Sequence, residues 1–283
     1  MQTPCCRFSL VKFLIKSSQE SSQDIYPLDP ISFSVAIIDG MAEVQSLEKS
    51  NSMKTCEDLA FTFITKLENK YLKYNEIHLV FDSYMKDSIK NLTREKRQQG
   101  VVPVHYKVSD KTDITNVTMS KLLGHIRTKD ELTEYLSKKI LSHFKILGKH
   151  VVVAWRTMAA ATHFDAGCLE STQEEADTKI ILHGINAKQR GASSLFIYAQ
   201  DTDVLVLSVR RYLQLPVNSF FVPKPGEEIS LRSIYMALGQ KKLLHCQGSM
   251  PCRVAILREA WREKASYHTG KHFVMCQTIH LTS

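Results

Sequence analysis

No stretch of this chain approaches the roughly 18 consecutive apolar residues of a membrane span, so no membrane association is expected. Its opening, MQTPCCRFSLVKFLIK, scatters charges through its apolar part and fits a secretory signal poorly. There is no CxxC pair. The seven cysteines (Cys5, Cys6, Cys56, Cys168, Cys246, Cys252 and Cys276) are odd in number and irregularly spaced. That pattern speaks against a disulfide framework and a structural zinc site, and for reduced thiols inside a cell. No internal repeat is present. No GxGxxG follows the first apolar run, which disfavours a dinucleotide-binding domain.

The 283 residues suffice for one large domain or two small ones. A composition 43% hydrophobic and 23% charged is that of a globular chain whose core needs no disulfide or metal. The net charge is +8, from 37 Lys and Arg against 29 Asp and Glu. That excess favours an anionic partner such as nucleic acid, although many basic proteins bind none.

Along the chain, the polar stretch SSQESSQD at 17–24 reads as a flexible lead-in, so residues 1–30 are expected to be a flexible segment. Apolar runs at 33–39, 77–82, 150–155, 194–201 and 219–222 read as buried strands. Helical spacing appears over 55–73, 128–147, 174–188, 204–213 and 231–239. Thr128 with Glu131 three residues on reads as a capping box, and Asp39-Gly40 as a turn. Strands alternating with helices predict an α/β fold, a central parallel sheet flanked by helices on both faces. In such sheets functional groups collect at the carboxyl ends of the strands.

The acids fall at those ends. Asp39 closes the first strand and Asp82 the second. Asp201 closes the fourth, with Asp203 two residues on. Glu174, Glu175 and Asp177 begin the helix that leads into the fourth strand. Crowded carboxylates repel, and an all-oxygen ligand set suits Mg²⁺ or Mn²⁺. A pair of such ions activates water on a phosphodiester without a protein nucleophile. Each acid also has a plainer reading. Glu174, Glu175 and Asp177 suit any helix N-terminus, Asp201 or Thr202 an N-cap, and Asp39 and Asp82 a turn.

IIDG at 37–40, VFDS at 80–83, EEADT at 174–178 and AQDTDVLVL at 199–207 resemble, in order and spacing, the successive motifs of flap-endonuclease and related PIN-like 5′ nucleases. The chain is also similar to a group of uncharacterised animal proteins found in mobile-element-derived contexts. The resemblance implies a PIN-like nuclease domain over 31–249, with metal ligands at Asp39, Asp82, Glu174, Glu175, Asp177, Asp201 and Asp203. It implies two Mg²⁺ or Mn²⁺ ions in an active protein, with all of these except Glu174 catalytic. Where the family carries a last acid after Gly-Ser or Gly-Cys, this chain has Gly248-Ser249-Met250. The tail over 250–283 departs from the family, which sets activity apart from fold.

The resemblance also places a basic arch after the second strand, here Lys86, Lys90, Arg94, Lys96 and Arg97. These would neutralise phosphates, DNA ahead of RNA, unless they form a solvated helix face. An intracellular location follows, and the nucleus if the partner is DNA. His78, His105, His125 and His183 read as structural or surface residues. Two other functions compete with the nuclease. One is a non-catalytic nucleic-acid-binding or interaction module on the same fold. The other is a dehalogenase-type phosphatase, to which DTDV at 201–204 is superficially similar but for which that motif comes too late in the chain.

Overall fold

The computed structural model describes residues 33–84, 103–173 and 175–237. The expected lead-in at 1–30, the basic run Lys86–Arg97, Glu174, Met250 and the tail lie outside them. The sheet lies within Met1–Tyr235, the first of the two units into which the chain divides. Among the described residues no helix is long and apolar enough to cross a membrane.

The fold is α/β, built on one seven-stranded mixed sheet. Its strands are β1 (Ser34–Asp39), β2 (Glu76–Val80), β3 (His150–Trp155), β4 (Met158–Ala161), β5 (Ser194–Tyr198), β6 (Asn218–Lys224) and β7 (Glu227–Ser230). They lie in the order β4-β3-β2-β1-β5-β6-β7. The five central strands are parallel, and the edge strands β4 and β7 pair antiparallel with their neighbours. The chain moves outward one way from β1 through β2 to β3, then returns to the other side of β1 with β5. Such a reversal opens a crevice at the carboxyl ends of β1 and β5, where α/β sheets bind ligands.

Helices fill the crossovers: α1 (Gly40–Gln45), α2 (Cys56–Tyr71), α3 (Met119–Leu122), α4 (Ile126–Ile146), α5 (Ala176–Gln189) and α6 (Thr202–Arg210). Residues 231–237 are also helical. Strand side chains alternate between the two faces of the sheet. Ala36 and Ile38 join Leu59, Phe63 and Leu67 of α2 and Leu132, Leu136 and Ile140 of α4 in one buried cluster. Ile37 instead lies beside Gly184 of α5, and Val152 joins a cluster against which Leu182 of α5 packs.

Three local readings need correction. Asp39-Gly40 is not a turn, because α1 begins at once and Asp39 is its N-cap, accepting from Met41 N (3.0 Å) and Ala42 N (3.1 Å). Thr128 is not the N-cap of α4. The helix starts a turn earlier, with His125 accepting from Arg127 N. Thr128 and Glu131 instead take the backbone N–H groups of Tyr106 (2.9 Å) and Val108 (3.1 Å), so they hold the extended segment before the helix. The capping box sits at Thr55 and Asp58, at the start of α2. Finally, β2 ends at Val80 and β5 at Tyr198, so Asp82 and Asp201 lie just beyond their strands.

Gly40 has a packing role rather than a turn role. A β-carbon there would fall 2.6–2.9 Å from three atoms of the Phe81 ring. Phe81 is fully buried and cannot swing aside cheaply. Gly40→Ala is expected to cost about 1–3 kcal/mol by overpacking. Chemical denaturation reads this directly, and an unchanged midpoint would refute the close packing of Phe81 on Gly40.

Candidate metal centre

Three acids share one local device. Asp39 caps α1 through Oδ1. Asp82 Oδ1 accepts from Ala176 N at 2.8 Å, so the acid leaving β2 caps α5 from another part of the chain. Asp201 Oδ1 accepts from Asp203 N at 2.8 Å and caps α6. The plain reading of these acids as helix caps is therefore true, and three helix N-termini partly offset their charge. It does not use them up. Among the described residues no hydrogen bond falls on Oδ2 of any of the three.

The caps bring the acids together. Asp177, Asp201 and Asp203 each offer an oxygen within 4.8 Å of the others. Asp39 feels the charges of Asp82 and Asp201, and Asp177 feels those of Asp201, Glu175, Asp82 and Asp39. Burial, reinforced by these neighbours, raises the Asp39 carboxyl to about 6 and that of Asp177 to about 7. Six of the seven acids expected as ligands are thus linked to one another by distance or by charge, and Glu174 lies outside the described residues. Glu175 stands at the N-cap position of α5 without a side-chain capping bond.

The donor set is all carboxylate, with two members whose pKa is raised by burial first and by neighbouring carboxylates second. That fits hard divalent cations such as Mg²⁺ or Mn²⁺ rather than zinc or copper.

Sequence reasoning missed Lys179. It is 2% exposed, and its Nζ donates to Ser83 Oγ (2.7 Å) and to the Arg156 carbonyl. Burial pulls its ammonium down to about 8, against the pull of Asp82. Ser83, also buried, donates to the same Arg156 carbonyl at 2.5 Å. Arg156 sits in the two-residue turn between β3 and β4 with φ +49, a left-handed conformation that costs a non-glycine residue about 1–2 kcal/mol. Its guanidinium is clamped to Asp130 (2.6 Å) and Glu134 (2.7 Å) of α4. The signal for Lys179 was available. It lies three residues after Ala176 and four before His183, on the buried face of α5. Glu43 on α1 was missed too. It is buried and bound by Lys66 at 3.0 Å and by Lys70 and Tyr71, which ties α1 to α2.

A second group with metal-ligand chemistry, Glu76, His150 and His163, lies at the amino ends of β2 and β3. It is already satisfied by protein. Arg190 donates to both Glu76 oxygens (2.6 and 2.7 Å), and His78 and His163 add two further bonds. Burial works to raise the Glu76 carboxyl, but His78 and Arg190 outweigh it and hold the group well below the usual carboxylate range. His78 Nδ1 meets His183 Nδ1 at 2.8 Å. Burial lowers the pKa of His78, His183 and His163.

A histidine whose folded pKa lies below its unfolded value binds fewer protons when folded. Its stabilisation is complete above about 6.5 and is lost as the pH falls below that. Each fully buried histidine is expected to remove up to about 1.4 kcal/mol per pH unit below 6.5. Asp39 and Asp177 work in the opposite sense, since their raised carboxyls gain stability as they protonate. Unfolding midpoints near pH 7 and pH 5 for wild type and His183→Gln separate the two. The variant should lose less on acidification, and equal losses would remove the histidines as the cause.

No family model, curated protein or solved structure matches the chain.

Proposed function

We propose that this protein is a metal-dependent nuclease with a PIN-like domain, hydrolysing phosphodiester bonds in nucleic acid. The observation that carries the reading is the convergence of Asp39, Asp82, Asp177, Asp201 and Asp203 from separate elements at the crevice between β1 and β5. The central strand order β3-β2-β1-β5-β6 supports it. The net charge of +8 supports an anionic substrate such as nucleic acid.

Asp177, Asp201 and Asp203 would hold one divalent cation, with Asp39, Asp82 and Glu175 contributing to a second. Bound cations supply Lewis-acid activation of water and neutralise charge on the phosphate. The protein's own part is to fix these oxygens before substrate arrives. Caps through Oδ1 on three helices do so, leaving the remaining oxygens directed by backbone rather than by flexible side chains.

The test is cleavage of branched and single-stranded DNA by the purified full chain with Mn²⁺. Absence of any metal-dependent product would defeat the reading. A binding measurement adds a pH sign. Protons compete with Mn²⁺ for Asp39 and Asp177, whose carboxyls stand at about 6 and about 7. Mn²⁺ should therefore raise the melting temperature more near pH 8 than near pH 5.5. An equal rise at both would remove these two acids from the centre.

A second reading rests on Met250, which stands after Gly248-Ser249 where the resembling nucleases carry an acid. On that reading the chain binds nucleic acid without cutting it. Salt-sensitive binding unaffected by Mn²⁺, with no product, would favour it.

A further inference from the structure

We infer that Lys179 is the internal counter-ion of the carboxylate centre, a positioning residue whose ammonium offsets part of the acids' charge when no metal is bound. This rests on reading the centre as a divalent-cation site.

Asp82 lies beyond the last residue of β2, where the sheet no longer fixes the chain. Two bonds replace the sheet there. Asp82 takes Ala176 N, and the next residue, Ser83, takes Lys179 Nζ. The same ammonium holds the Arg156 carbonyl, to which Ser83 also donates. One buried cation thus joins the exit of β2, the β3–β4 turn and the first turns of α5, which carry Asp177. The Arg156 carbonyl is turned to this point by a left-handed backbone, while its side chain is held elsewhere by Asp130 and Glu134.

The two hydrogen bonds of the tie need a donor but not a charge. An ammonium withdrawn from water is a heavy cost that a methionine of similar length avoids. Here the charge acts on Asp82, which in turn acts on Asp39 and Asp177. Two consequences follow from Coulomb's law. Lys179 lowers the repulsion in the metal-free protein, and it weakens the hold on a cation that enters. The second effect suits a centre that must release its ions and product.

The experiment compares thermal unfolding and Mn²⁺ affinity of the full chain for wild type, Lys179→Met and Ser83→Ala near neutral pH. Lys179→Met is expected to melt below wild type without Mn²⁺, with at least half of that deficit recovered at millimolar Mn²⁺. Its Mn²⁺ affinity should rise, on the order of three- to tenfold, because a like charge has left the neighbourhood. Ser83→Ala removes a tie but keeps the charge. It should melt lower by the same amount with and without Mn²⁺, and its Mn²⁺ affinity should not rise. Lys179→Gln, uncharged but still a donor, serves if the methionine variant does not fold. A deficit indifferent to Mn²⁺, or an affinity that falls, overturns the counter-ion role and leaves Lys179 a structural tie. Wild type and variants all failing to bind Mn²⁺ would overturn the metal-centre reading and this inference with it.

Discussion

Asp201→Ala is expected to lower Mn²⁺-dependent cleavage about 100- to 1,000-fold, the scale of losing one preorganised charge at a reacting phosphate. Asp201 has two tasks, and alanine removes both. Its Oδ1 caps α6, and it lies among Asp177 and Asp203. Loss of the cap costs about 1 kcal/mol of stability, which alone could confuse the result. Asp201→Asn separates the tasks. Asparagine caps as well as aspartate but carries no charge. The asparagine variant should be as inactive as the alanine variant yet unfold at or above the wild-type midpoint, since one source of repulsion is gone. Cleavage by Asp201→Asn at the wild-type rate would exclude Asp201 from the chemistry.

The largest loss of stability is expected from Glu76→Ala. Glu76 is fully buried and receives both arms of Arg190 together with His78 and His163. Removing one partner of a buried ion pair strands the other, at about 3–5 kcal/mol. Arg190 is partly exposed and its guanidinium stacks on Phe164 at 3.8 Å, so some of that charge can reach water. The lower end of the range is therefore the expected one. Urea unfolding with an unchanged slope measures it. A midpoint shift worth under about 1 kcal/mol would show that the network is not what holds the amino ends of β2 and β3.

Much of this molecule was legible in the sequence, for reasons that differ by element. The parallel strands announce themselves because their residues are buried, so Val35–Ile38 and Val151–Ala154 are unbroken apolar runs. The acids stood out because carboxylates close behind apolar runs are conspicuous, even though β2 and β5 end short of Asp82 and Asp201. The edge hairpins were not. β4 is four residues of Met and Ala, and β7 is Glu-Glu-Ile-Ser; neither is long enough to show a period. The start of α4 was misplaced because Thr128 and Glu131 have the spacing of a capping box but serve another segment, a tertiary use no local pattern reveals. Lys179 was overlooked because a lysine in a helix ordinarily faces water. Glu76 was overlooked because its partners, His78, His163 and Arg190, lie up to 114 residues away.

The sheet keeps two kinds of charge at opposite ends. At its amino ends, Glu76 and Arg190 hold the protein together. At its carboxyl ends, Asp39 and Asp177 are kept at a loss. Replacing Asp177 relieves that penalty, whereas replacing Asp39 relieves it at the cost of the α1 cap. If the protein is the nuclease proposed above, a lineage released from that task would lose Asp177 before Glu76, which folding alone still guards. The succession of losses among descendants would then date the end of activity separately from the end of the fold.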